Sequence, residues 1–97
     1  MESESLKDFL RGIIAEKAGI ELDKDVEKQL VSDLYERLEN QIYRALVNEL
    51  SDQQLDELQS KERSAEEILK FIEDNGIVTK DVITRVLIQF RASYVGA

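Results

Sequence analysis

The chain has 97 residues, 42% of them hydrophobic, with 13 basic against 21 acidic side chains, a net charge of −8, and no histidine, cysteine, tryptophan or proline. That length bounds the fold to a single helical domain over residues 1–97, and the lack of cysteine excludes disulfides and thiolate metal sites, as in proteins of a reducing cytoplasm. Without histidine, Ser-His-Asp, Cys-His and Glu-x-x-His chemistries drop out, and the acidic excess opposes binding to nucleic acid.

Apolar periodicity and capping signals predict five helices. The first runs from Ser5, as N-cap, to Ala18, with Leu6, Phe9, Leu10, Ile13, Ile14 and Ala18 sharing one face. Gly19 stands where a left-handed terminator is wanted, and Gly12 falls on the solvent side. The second begins after Asp23 and continues to about Leu50, with Val26, Leu30, Leu34, Leu38, Ile42, Leu46 and Leu50 at every fourth position. Such a row drifts by about 40° per step around a 3.6-residue helix, so each part must face a different neighbour. Tyr43 and Val47 widen the apolar arc in the C-terminal half, which is the expected hub of the core.

Ser51-Asp52-Gln53-Gln54 is a capping box opening a short third helix, about Asp52 to Gln59, with Leu50 and Leu55 as its hydrophobic staple. Ser64-Ala65-Glu66-Glu67 is a second box; the helix it opens should turn Ala65, Ile68, Leu69 and Ile72 inward and stop at Asn75-Gly76. The fifth helix is expected after Thr79, with Val78 and Ile83 as staple. It extends toward Val95 and carries Val82, Ile83, Val86, Leu87, Phe90 and Tyr94 on its main apolar face. The predicted fold class is therefore all-α, a compact irregular bundle of four to five helices with one long central helix. The acidic stretch Met1-Glu2-Ser3-Glu4-Ser5 is unlike a secretory signal, and no aliphatic run approaches the ~20 residues that cross a bilayer. A soluble, cytoplasmic protein with no transmembrane segment is expected.

The long second helix, the segment Leu50-Ser51-Asp52-Gln53-Gln54-Leu55, and Phe71-Ile72 ahead of a break and an amphipathic last helix form a pattern. It resembles a family of short acidic helical proteins of unknown function found largely in uncultivated candidate-phyla bacteria. The resemblance covers about Leu22 to Phe90. It departs near Gly76-Ile77-Val78, where that family's pattern would carry a proline, and it implies a fold without implying an activity.

No catalytic residue, cofactor or metal ligand set is expected. Asp23-Lys24-Asp25-Val26-Glu27 is like the opening of a calcium loop, but Lys28 and Leu34 stand where glycine and a bidentate glutamate are needed. An N-cap followed by acidic residues that complement a helix dipole accounts for the same segment. The expected role is a protein-interaction or structural module whose partner is another protein or a second copy of the chain. A carboxylate-based enzyme or small-ligand binder, and a peripheral membrane or nucleic-acid adaptor, are the competing classes.

Residues 77–97 hold Lys80, Arg85 and Arg91 against Asp81, a net of +2, whereas residues 1–76 carry −10. A basic last helix docked on an acidic body explains that segregation. On the same helix Ile88, Ala92 and Val95 make a second apolar stripe, about 140–160° from Phe90 at its two ends. Together with Arg85 and Arg91 they are the candidate partner-contact residues.

Overall fold

Two glycines in the left-handed region divide the chain. Gly19, at φ 66°, ends the first helix, and Gly76, at φ 84°, ends the fourth. Around Gly76 the termination is a complete Schellman motif. Ile77 N donates to Ile72 O at 3.4 Å and Gly76 N to Glu73 O at 3.0 Å, so carbonyls that the helix end orphans find donors.

The computed structural model describes residues 4–96. Its elements are α1 (Glu4–Ala18), α2 (Lys24–Asn48), α3 (Asp52–Gln59), α4 (Ala65–Asp74) and α5 (Thr79–Val95). Both capping boxes close. Ser51 Oγ accepts from Gln54 N at 3.2 Å while Gln54 Oε1 accepts from Ser51 N at 2.9 Å. Ser64 Oγ accepts from Glu67 N at 3.2 Å while Glu67 Oε1 accepts from Ser64 N at 3.3 Å. Asp23 caps α2, accepting from Asp25 N at 2.9 Å.

Two helix starts differ from expectation. Ser5 lies inside α1 and caps nothing there; residues 1–3 of the acidic N-terminal stretch lie outside the described residues. Thr79 is the first residue of α5, and the N-cap is Val78, which makes no side-chain capping bond. Thr79 Oγ1 donates instead to Glu73 Oε1 at 3.2 Å, tying α5 to α4. The shift moves the staple by one residue: Val78 is exposed, and the positions before the cap and at the fourth helical residue are Ile77 and Val82, both packed into the core.

α2, α1 and α5 form the body of an all-α bundle, with α2 the long central element. α1 and α5 run parallel to each other and antiparallel to α2. Glu16 near the end of α1 pairs with Arg91 near the end of α5, whereas Arg85 early in α5 reaches Glu49 at the end of α2. The 25-residue α2 is about 37 Å long at 1.5 Å per residue and dominates overall dimensions of 48 × 24 × 17 Å.

The core holds Leu10, Ile13 and Ile14 of α1, Ile72 of α4, and Val82, Val86 and Phe90 of α5 around Val31, Leu34, Leu38, Ile42 and Leu46 of α2. Its deepest α2 residues are Leu38, fully enclosed, and Leu46, both in the C-terminal half where the hub was expected. Helix geometry explains how the N-terminal half turns away. Counted from Leu38, Leu30 and Val26 have rotated by about 80° and 120°, whereas Val31 has rotated by only about 20°. Val31 is accordingly buried, Leu30 half-buried and Val26 exposed.

α3 and α4 form a hairpin with contacts of its own. Leu58 is buried apart from the main core. Arg63 donates to Leu58 O at 3.3 Å and lays its guanidinium 4.6 Å from the Phe71 ring centroid. Gln54 Nε2 donates to Asn75 Oδ1 at 3.0 Å, joining the start of α3 to the end of α4.

Candidate functional site

Of the five residues proposed from sequence as a partner surface, Arg85, Ile88, Arg91 and Ala92 are exposed and Val95 is half-buried. Arg85 Nη2 donates to Glu49 Oε1 at 3.0 Å, and Arg91 donates to Glu16 Oε1, so both arginines serve contacts within the chain. Val95 is half-buried and packs against the core. Ile88 and Ala92 remain exposed, Ile88 at 65%. A further tie holds α5 to the body: Lys17 Nζ donates to Tyr94 O at 2.9 Å and stands 4.8 Å from the Tyr94 ring centroid, placing a cation at the C-terminal turn of α5. Both arginines of the last helix thus pair with carboxylates of the body, Glu49 at the end of α2 and Glu16 of α1.

No charged or polar side chain among the described residues is buried, and none of their His, Cys, Asp and Glu side chains cluster in threes for a metal ion. Among the described residues, Glu67 has its carboxyl held below the usual glutamate range by the Ser64 backbone N–H and then by the Ser64 hydroxyl. That is a helix cap at work. No helix of the described residues is long and apolar enough to cross a membrane.

Two concavities differ in chemistry. The first, of about 660 Å³, lies between α1, the α1–α2 loop and the start of α2, and brings Lys7, Arg11, Lys24 and Lys28 toward Glu21 and Glu27. Two of its cations have partners nearby. Arg11 bonds Asp8 at 2.7 Å and stands 3.9 Å from Glu27, and Lys7 lies 5.9 Å from the Tyr35 ring centroid.

The second, of about 300 Å³, is an apolar groove where α4 meets α2 and the start of α1. Leu6, Ile42, Tyr43, Leu46, Ala65, Ile68 and Leu69 line it, with Glu39 and Asn40 as its polar residues. It exists because α4 is anchored at one end. Ile72 is fully buried and its helix packs on α5, while Ile68 and Leu69 are half-buried and Ala65, expected to face inward, is exposed. The N-terminal half of α4 therefore stands off from α2.

Tyr43 lies at the boundary of the apolar arc that the sequence assigned it to. Placed in a core-facing arc, it is 46% exposed and forms part of the groove wall. It lies about 100° round α2 from Ile42 and about 60° from Leu46, at the margin of the buried stripe. That marginal angle, in a helix whose apolar row is already turning, was the available signal. Comparison with protein-family models, curated proteins and solved structures finds no match to this chain.

Proposed function

We propose that the chain is a protein-interaction module, a binding protein of the cytoplasm and not an enzyme, that takes one amphipathic helix of a partner protein into the α2–α4 groove. The observation that carries this reading is the groove itself: seven apolar side chains from three helices walling a solvent-open channel beside the core. A helix suits the space because its walls are residues three and four apart on two helices, Tyr43 and Leu46 on α2 and Ala65, Ile68 and Leu69 on α4. Those rows are the ridges between which a third helix packs. The net charge of −8 favours a partner of opposite sign. Tyr43 has the apolar ring and polar tip typical of an interface anchor.

A single helix in a channel of this size buries less than a standard interface, so the dissociation constant should lie on the order of micromolar. Because the chain has no tryptophan, a synthetic amphipathic peptide with tryptophan and leucine on its apolar face reports binding by its own emission. A blue shift that saturates, and that weakens by about tenfold with Tyr43→Ser, is the expected result. No saturable shift, or equal binding to the Tyr43→Ser protein, would overturn the reading.

A further inference from the structure

The groove is bordered by two acidic rows, and we infer that they select a helix carrying basic residues on both flanks of its apolar stripe; this rests on the groove being the binding site. On α2, Glu36 and Glu39 precede Asn40 and Tyr43 by four residues each, so both lie within about 40° of the Tyr43 direction. Both are exposed. The cations nearest along α2, Arg37 and Arg44, lie about 120° and 100° from Tyr43 and face away. On α4, Glu66 and Glu73 stand three and four residues from Leu69, within about 60° of it, with Lys70 beside them at about 100° from Leu69. Both glutamates are exposed, with Glu73 also accepting from Thr79. Among the described residues, no basic side chain lines the groove.

An apolar floor between two carboxylate rows matches an amphipathic helix whose lysines or arginines flank its leucines, because cationic side chains can lay their stems on apolar surface and extend their charges to the rims. The same rows act against an acidic helix, since like charges brought together at a partly desolvated edge repel. Specificity then comes from the rims and affinity from the floor.

The test uses three peptides with one tryptophan–leucine apolar face and lysine-, glutamine- or glutamate-rich polar faces. Each is titrated into the full chain and into a variant with Glu36, Glu39, Glu66 and Glu73 all changed to Gln. The lysine peptide should bind about tenfold more tightly than the glutamine peptide at low salt, and that advantage should shrink toward physiological salt. In the four-Gln variant the lysine and glutamine peptides should bind alike, with the circular dichroism spectrum unchanged. Equal binding of lysine and glutamine peptides to the unaltered chain, with Tyr43→Ser weakening both, would overturn the charge selection while leaving the groove in place. A lysine advantage that survives in the four-Gln variant would overturn it too, by assigning the attraction to the general acidic surface. Failure of all three peptides to bind would remove the groove reading on which the selection rests.

Discussion

Leu38→Ala and Leu46→Ala remove the same atoms from the same helix but should not cost the same. Leu38 is fully enclosed and Leu46 is 2% exposed, so burial alone hardly separates them. Their surroundings do: Leu46 is part of the groove wall, whereas Leu38 is not. Losing three carbons forfeits about 2 kcal/mol of transfer free energy at either site. At Leu38 the vacated space stays closed, and a residual cavity of about 100 Å³ adds about 2 kcal/mol more, for a total near 4 kcal/mol. At Leu46 the space merges with the open groove, where water and the adjoining side chains fill it, so the cost stays near 2 kcal/mol. Against the roughly 5–10 kcal/mol typical of a domain this size, the first change removes about half of the stability. Urea titration followed by helical circular dichroism measures both, with a common slope as the check on two-state unfolding. Equal costs, or a larger cost at Leu46, would refute both the closed packing around Leu38 and the open groove beside Leu46.

Glycine substitutions should split in sign. Gly12 sits exposed within α1 with no side chain or distant backbone nearby, so Gly12→Ala should stabilise by about 0.5–1 kcal/mol in the same titration. Gly76→Ala should destabilise by about 1–2 kcal/mol because its φ of 84° suits no alanine. Glu67 has a folded-state pKa below the ordinary value, so the stability it lends is fully present above that ordinary value, near pH 4.3, and is lost as pH falls through the folded one. Glu67→Gln keeps a capping-box acceptor that does not titrate, so the stability difference between pH 6 and pH 3 should be smaller in the variant, as thermal melts would show. Ile88→Glu should change stability by no more than about 0.5 kcal/mol and leave helicity and light-scattering mass unaltered. Loss of helicity would place Ile88 in the core, and a fall in mass would restore the outer face of α5 as a self-association surface.

The helix order and most boundaries were legible in sequence because they are written in short-range chemistry. Asp23, Ser51 and Ser64 cap the helices that follow them, and Gly19 and Gly76 take the left-handed turns that end α1 and α4. Where local signals competed, the long-range fold decided. Thr79 looks like an N-cap, but the Schellman turn at Gly76 and the burial of Ile77 bring the chain into α5 one residue earlier, and the hydroxyl goes to Glu73. That the arginines of α5 meet carboxylates of the body was also legible, since it depends on charge segregation; the specific pairs, Arg85–Glu49 and Arg91–Glu16, required the packing. The groove was not legible at all. It is a space beside the N-terminal half of α4, whose anchor is the buried Ile72, and the apolar residues that line it have the same periodicity as those that fill the core.

The most direct measurement is a two-dimensional amide spectrum of the isotopically labelled chain during titration with the lysine-flanked tryptophan–leucine peptide. Saturable shifts should concentrate on Leu6, Glu39, Tyr43, Leu46, Ala65, Ile68 and Leu69, the residues that surround the groove, and Ile88 and Ala92 on the far face of α5 should stay still. Shifts centred on Ile88, or spread over every acidic face without saturation, would contradict the assignment of this groove as the partner site.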